Sequence, residues 1–185
     1  LRRALETAEP IAKALGLEIR SQPWLRELGL ASLEGCSSEQ VQQYFADAHA
    51  RQLEHWWDGL PGGESFRHFY ERVTGGVESL LTGEHRIGVH EDGGRRLWQV
   101  PAGVERVLVV AHEGTNAVLL SHLLGIDPVP WAWMRFSSAW AGISRVHTVA
   151  TASGVIWALE SFNRVHHLAP LSARSPRDGR TTSAG

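Results

Sequence analysis

Val107-Leu108-Val109-Val110-Ala111-His112-Glu113-Gly114-Thr115 is the stretch on which the reading of this chain turns. The near-continuous apolar run over 107–111 predicts a buried parallel strand, since such a strand is covered on both faces. His112 stands at the end of that run, Gly114 follows, and residues 115–124 read as a helix ended by Gly125. A strand, a turn and a helix with a polar residue where the strand stops form the usual place for a site in an open α/β sheet. A histidine has few structural reasons to stand there, so His112 is the leading functional candidate.

Downstream of this unit, residues 143–150 and 155–160 read as two strands joined at Ala152-Ser153-Gly154. Residues 169–185 are rich in Ser, Arg, Pro, Gly and Thr with almost no apolar content, and are expected to form a disordered tail. Upstream, residues 82–104 are polar and glycine-rich, with a hairpin-like turn at Asp92-Gly93-Gly94, and read as an inserted hairpin or a mobile loop. A helix is expected from Glu64 or Ser65 to about Leu81, weakened by Gly75 and Gly76 at roughly 1 kcal/mol each relative to alanine. Before it come a loop over 58–63 and a helix from Ser37 or Ser38 to about Trp57. Residues 21–37 carry turn and loop signals, and 17–20 read as a short strand. Leu1, Ala4, Leu5, Ala8, Ile11, Ala12 and Leu15 make one apolar stripe, so 1–15 is read as a helix, with Pro10 kinking or splitting it and Gly16 as its stop.

A chain of 185 residues suits one domain, here residues 1–168 followed by the tail. Its 43% hydrophobic and 21% charged content is that of a globular protein, and a net charge of −2 gives no reason to propose nucleic acid or a membrane as partner. The single cysteine, Cys36, excludes an intrachain disulfide and a Cys-rich metal site, and fits a cytoplasmic location. No apolar run approaches the roughly 20 residues a membrane-spanning helix needs. His-Glu-x-x-His, Cys-x-x-Cys, a Walker loop, a dinucleotide fingerprint and a Gly-x-Ser-x-Gly elbow are all absent, so no metal site and no nucleotide cofactor is expected. Trp56-Trp57 and Trp131-x-Trp133 either line a pocket or pack in the core, the commoner use.

Three segments carry residues suited to phosphoryl transfer. An arginine at a helix start, Arg3, offers a planar fork for phosphate oxygens. A loop carboxyl, Glu27, can protonate a leaving alkoxide. His112 can hydrogen-bond a phosphate or attack phosphorus, and the amides near Gly114 at a helix start favour an anion. Against these stand plainer readings. Arg3 alone is a solvated helix charge, Glu27 an exposed loop residue, Glu34 a cap for the next helix, and Glu64 a helix cap rather than a site residue.

Taken in order, these segments resemble the histidine phosphatase superfamily, whose relatives include the cofactor-dependent phosphoglycerate mutases. Leu1-Arg2-Arg3-Ala4-Leu5-Glu6-Thr7-Ala8 is similar to the family's phosphate-binding segment, with its arginine at Arg3. Leu25-Arg26-Glu27 with Leu33-Glu34-Gly35 is similar to the segment that supplies the acid, which falls on Glu27. Val109-Val110-Ala111-His112 is similar to the strand end whose histidine holds the phosphate, which falls on His112. Gly63-Glu64-Ser65 with Arg72, and the run Asn163–Leu168, add to the likeness over residues 1–168. Glu113 stands where the family has glycine: its amide, with Gly114, can still hold phosphate, while its carboxylate would crowd or repel it. Ala31 and Leu33 are milder departures.

The resemblance implies a three-layer α/β/α sandwich with a mostly parallel sheet and a helical cap over about 38–83. It implies a phosphomonoester hydrolase working through a phosphohistidine on a small phosphorylated metabolite, with no metal or organic cofactor and a homodimer as candidate assembly. A mutase or a protein-phosphohistidine phosphatase are alternatives within the fold. The family's first strand, ending in Arg-His-Gly with the nucleophile, is absent from the chain, which starts at Leu1 and reads as truncated. On that reading the chain as written is inactive and exposes sheet edges, and a non-catalytic phosphate-binding module is the rival from another class.

Overall fold

The structure is a computed structural model and describes residues 1–103, 106–128 and 132–169. In chain order it contains α1 (Arg2–Leu15), α2 (Ser38–His49), α3 (Phe66–Ser79), β1 (Gly88–Asp92), β2 (Arg95–Gln99), α4 (Glu113–Leu123), β3 (Ile143–Thr151) and β4 (Gly154–Arg164). Short 3-10 turns at Pro23–Leu25, Leu53–Asp58, Trp133–Arg135 and His166–Leu168 lie between or after them, and a π turn, Leu80–Glu84, extends α3.

The helices begin and end where local chemistry dictates. Gly16 closes α1 in the left-handed conformation at φ 66°, and Pro10 remains inside the helix without ending it. At the start of α2, the Gln40 amide donates to Ser37 Oγ at 3.2 Å while the Ser37 amide donates to Gln40 Oε1 at 2.8 Å, a reciprocal capping box. Ser65 Oγ accepts from the His68 amide and starts α3. The helix expected to run to Trp57 stops at His49, and Leu53–Asp58 forms a tighter 3-10 turn. That turn carries the Trp56 ring into the core, and the Arg51 guanidinium closes it by donating to the Gly59 carbonyl. Gly76 is a place of close approach rather than a weakness, because a Cβ there would overlap the Trp24 indole.

The expected inserted hairpin is β1–β2. It turns at Gly93 and Gly94, both at positive φ (58° and 74°), as a two-residue type I′ turn requires. β3 and β4 form the second hairpin, paired from Thr151↔Gly154 to Ile143↔Arg164 across Ala152-Ser153. Trp98↔Val155 joins the two hairpins into one sheet of order β1-β2-β4-β3. The fold class, α/β, is as expected, but the described sheet is antiparallel throughout. The parallel strand expected at 107–111 and the strand at 17–20 pair with no described residue, and Val107, Leu108, Leu17 and Ile19 are exposed. Parallel pairing takes its hydrogen bonds from a second strand distant in sequence, and none among the described residues supplies them.

The core lies between α3, α4 and the hairpins. Phe69, Val73 and Val77 of α3 meet Ala117, Val118 and Leu119 of α4, with Trp98 of β2 fully buried against them. The segment expected as a helical cap over 38–83 therefore gives its second half, α3, to the core. Trp133 packs its ring edge-on or stacked against Trp57, Phe66, Phe69 and Tyr70, and tilted against Trp56. The region of the expected tail lies outside the described residues except for Ala169, and Trp131 also lies outside them. Among the described residues no helix is long and apolar enough to cross a membrane.

Candidate active site

Everything at the site is arranged around the first turn of α4. His112 is its N-cap residue, in extended conformation, and is 8% exposed. Burial pushes its imidazole below the usual histidine range. The Arg3 cation acts in the same direction, and the Glu27 carboxylate opposes both. Arg3 and Glu27 thus each lie within electrostatic reach of His112, although more than a hundred residues separate Arg3 from it.

Glu27 faces the same helix start. Its Oε2 accepts from the Gly114 amide at 2.9 Å, and its Oε1 accepts from the Leu28 amide at 2.9 Å. The free amides at the start of a helix carry a partial positive charge and draw the nearest carboxylate. Gly114 permits this approach, since a Cβ at that position would lie 2.6 Å from Glu27 Oε1. The Gly114 amide, expected as a phosphate donor, is therefore occupied by Glu27, and Gly114 acts in this structure by orienting that carboxylate. Thr115, fully buried, donates to the Arg26 carbonyl at 3.3 Å and braces the same loop from below.

The Glu113 carboxylate, expected to crowd a phosphate, is engaged elsewhere. Its Oε1 accepts from Ser137 Oγ at 3.0 Å and from the Ser138 amide at 2.9 Å. Arg3 is exposed, and its guanidinium has no hydrogen bond or ion pair among the described residues. Glu34 is exposed and caps nothing, because the cap of α2 is Ser37. No group of three or more His, Cys, Asp or Glu among the described residues could hold a metal ion.

The loop carrying Glu27 is clamped from the far side by α3. Arg72 meets Glu64 in a fork, Nε to Oε1 at 2.9 Å and Nη2 to Oε2 at 2.7 Å. Its Nη1 donates to the carbonyls of Trp24 and Arg26 at 2.8 and 2.9 Å. Glu64 Oε2 also accepts from the Gly29 amide at 3.1 Å. Burial raises the Glu64 pKa, but the hydrogen bonds and charge of Arg72, with Gly29 and His68, outweigh it and leave the group below the ordinary carboxylate range. A cleft of about 290 Å³ opens beside Glu27 and Gly114.

The sequence pattern of the histidine phosphatase superfamily (branch 1) matches residues 1–156. The chain belongs to the histidine phosphatase superfamily. A probable phosphoglycerate mutase GpmB of Salmonella newport is 30% identical over 172 residues, covering 91% of this chain and 70% of the relative. A mycobacterial glucosyl-3-phosphoglycerate phosphatase, solved in complex with VO3, superposes with a TM-score of 0.60 at 26% identity, over 88% of this chain and 73% of that one. The alpha-ribazole phosphatase of Shigella flexneri shares the fold, with a TM-score of 0.60 at 21% identity over 89% of this chain and 70% of that one.

In this histidine phosphatase chain Glu27 and His112 both stand at the first turn of α4, and the charge of Arg3 is felt at His112. Glu64 reads in the sequence as a helix cap, but Ser65 caps α3, and Glu64 serves instead in the clamp with Arg72. The grouping of Gly63-Glu64-Ser65 with Arg72 was the clamp's visible trace. A carboxylate and an arginine eight residues apart on a predicted helix read as surface charges until burial is known.

Proposed function

We propose that this chain carries the phosphate-holding and proton-transfer groups of a phosphomonoester hydrolase that works through a phosphohistidine on a small phosphorylated metabolite. The observation that carries the reading is that Glu27 and His112 meet at the first turn of α4, with the charge of Arg3 acting on His112. The phosphatases and the mutase among the relatives named above support the reaction class. Arg3 and a neutral His112 bind phosphate oxygens and stabilise the charge of the transition state. As a nitrogen–phosphorus bond forms to the attacking histidine, the ester P–O bond breaks and Glu27 gives its proton to the departing alkoxide. Glu27, now a carboxylate, takes a proton from water as the water oxygen bonds phosphorus and the N–P bond breaks. No Arg-His-Gly tripeptide occurs in residues 1–185, so the attacking histidine is not assigned to this chain.

The test is release of inorganic phosphate from a panel of monoesters by the complete gene product. Arg3→Ala and His112→Ala are each expected to lower kcat/KM by about 100-fold, the usual cost of losing one group that stabilises transition-state charge. Activity unchanged in both variants overturns the assignment. Phosphate moved between positions of one acid without release would instead select the mutase reading. Tight binding of inorganic phosphate with no turnover of any ester would select the binding module.

A further inference from the structure

We infer that the cleft beside Glu27 is the subsite for the leaving alcohol, and that this alcohol is apolar, an alkyl chain or a single ring system rather than a sugar or polyol. The inference rests on the reading of Glu27 as the proton donor. The leaving oxygen must lie beside the Glu27 carboxyl, so whatever is bonded to that oxygen extends into the space adjoining Glu27. That space is the cleft of about 290 Å³, whose lining includes Glu27 and Gly114. The buried part of its lining, its floor, includes the rings of Trp56, Phe66 and Trp133, and the exposed part, its mouth, includes Leu30, Phe45 and Met134. Apart from Glu27 and the indole N–H groups of Trp56 and Trp133, the lining side chains carry no polar group. A polyol would bring more hydroxyls than these few groups can pair, and taking the remainder from water is unfavourable. An apolar group would gain by leaving water. At this volume the cleft lies near the small end of ligand pockets.

Exposure of the mouth points the same way. Leu30, Phe45 and Met134 are between about a third and a half exposed, from three separate segments, while the floor residues are buried. Such an exposed apolar rim, in one cleft with a buried apolar floor and the proton donor, fits a substrate part that completes its burial.

The test uses the complete gene product and a series of primary alkyl phosphates, methyl, butyl and octyl, with glycerol 3-phosphate as the polar counterpart. Because the alcohols of the alkyl series differ little in acidity, kcat/KM reports the fit of the chain. It is expected to rise by up to roughly fourfold per added methylene while the chain is being buried, and glycerol 3-phosphate is expected to be a poor substrate. Phe45→Ser and Met134→Ser, both at the exposed rim, are expected to erase most of the rise, so that octyl phosphate loses far more kcat/KM than methyl phosphate does. Equal kcat/KM for methyl and octyl phosphate would overturn the inference and leave the phosphatase reading standing. If no ester is hydrolysed, the phosphatase reading fails, and calorimetry with methyl- and octylphosphonate still decides the cleft. Octylphosphonate at least tenfold tighter, with the gain lost in Phe45→Ser, supports it; equal affinities overturn it.

Discussion

His112 and Glu27 owe their properties to the few atoms around them. Burial, followed by the Arg3 cation, holds the His112 imidazole below its ordinary value of 6.5, so the ring is neutral at neutral pH. A phosphate bound against it would add its negative charge to that of Glu27. Imidazole nitrogen NMR is therefore expected to report a neutral His112 at neutral pH, and a rise in its pKa when inorganic phosphate is added. No response to phosphate would remove His112 from the phosphate site. Gly114→Ala places a methyl 2.6 Å from Glu27 Oε1, too close to be accommodated without moving the carboxylate. This variant is expected to lose at least tenfold in kcat/KM with Arg3 and His112 untouched, and no further loss when Gly114→Ala is added to Glu27→Gln would tie the effect to that carboxyl.

At the scale of elements, α3 does two things at once. Its apolar face fills the core through Phe69, Val73 and Val77, and Arg72 reaches from it to hold the Glu27 loop. Glu64, whose side chain is 8% exposed, would be left buried without its main partner in Arg72→Ala. Removing one member of such a pair costs about 3–5 kcal/mol, which urea unfolding would measure. Arg72→Lys keeps the charge but not the fork, and is expected to recover only part of the loss. An effect below about 1 kcal/mol would mean that the clamp does not hold the loop.

For the whole molecule, two buried histidines set the acid side of stability. Burial lowers the His122 pKa, Arg96 adds to the effect, and Glu78 opposes it. His112 is lowered as well, so both bind protons more readily in the unfolded chain. Their contribution is fully present above the ordinary value of 6.5 and is lost as pH falls through their depressed folded values. Glu64, lowered from 4.5, adds a second loss in more acidic solution. Thermal unfolding is expected to show Tm falling between about pH 7 and pH 5, less steeply in His122→Gln. An equal slope in that variant would show that His122 makes no contribution.

Much of this was legible in the sequence wherever the deciding contacts are local. The capping box at Ser37 and Gln40, the stop at Gly16, the turn at Gly93-Gly94 and the hairpin across Ala152-Ser153 each depend on atoms a few residues apart, so residue type and spacing determine them. Arg3, Glu27 and His112 were singled out in the sequence because chemistry restricts which side chains suit a phosphate ester, and their roles at the site are part of the proposal. Tertiary structure alone decided the rest. The apolar run at 107–111 carries the pattern of a parallel strand, but its pairing depends on a partner distant in sequence, and the described sheet is antiparallel. The loan of the Gly114 amide to Glu27, the turning of Glu113 toward Ser137 and Ser138, and the clamp of Arg72 on the Glu27 loop all join residues far apart along the chain. Their strength comes from burial and from the direction of a helix start, and neither exists until the chain has folded.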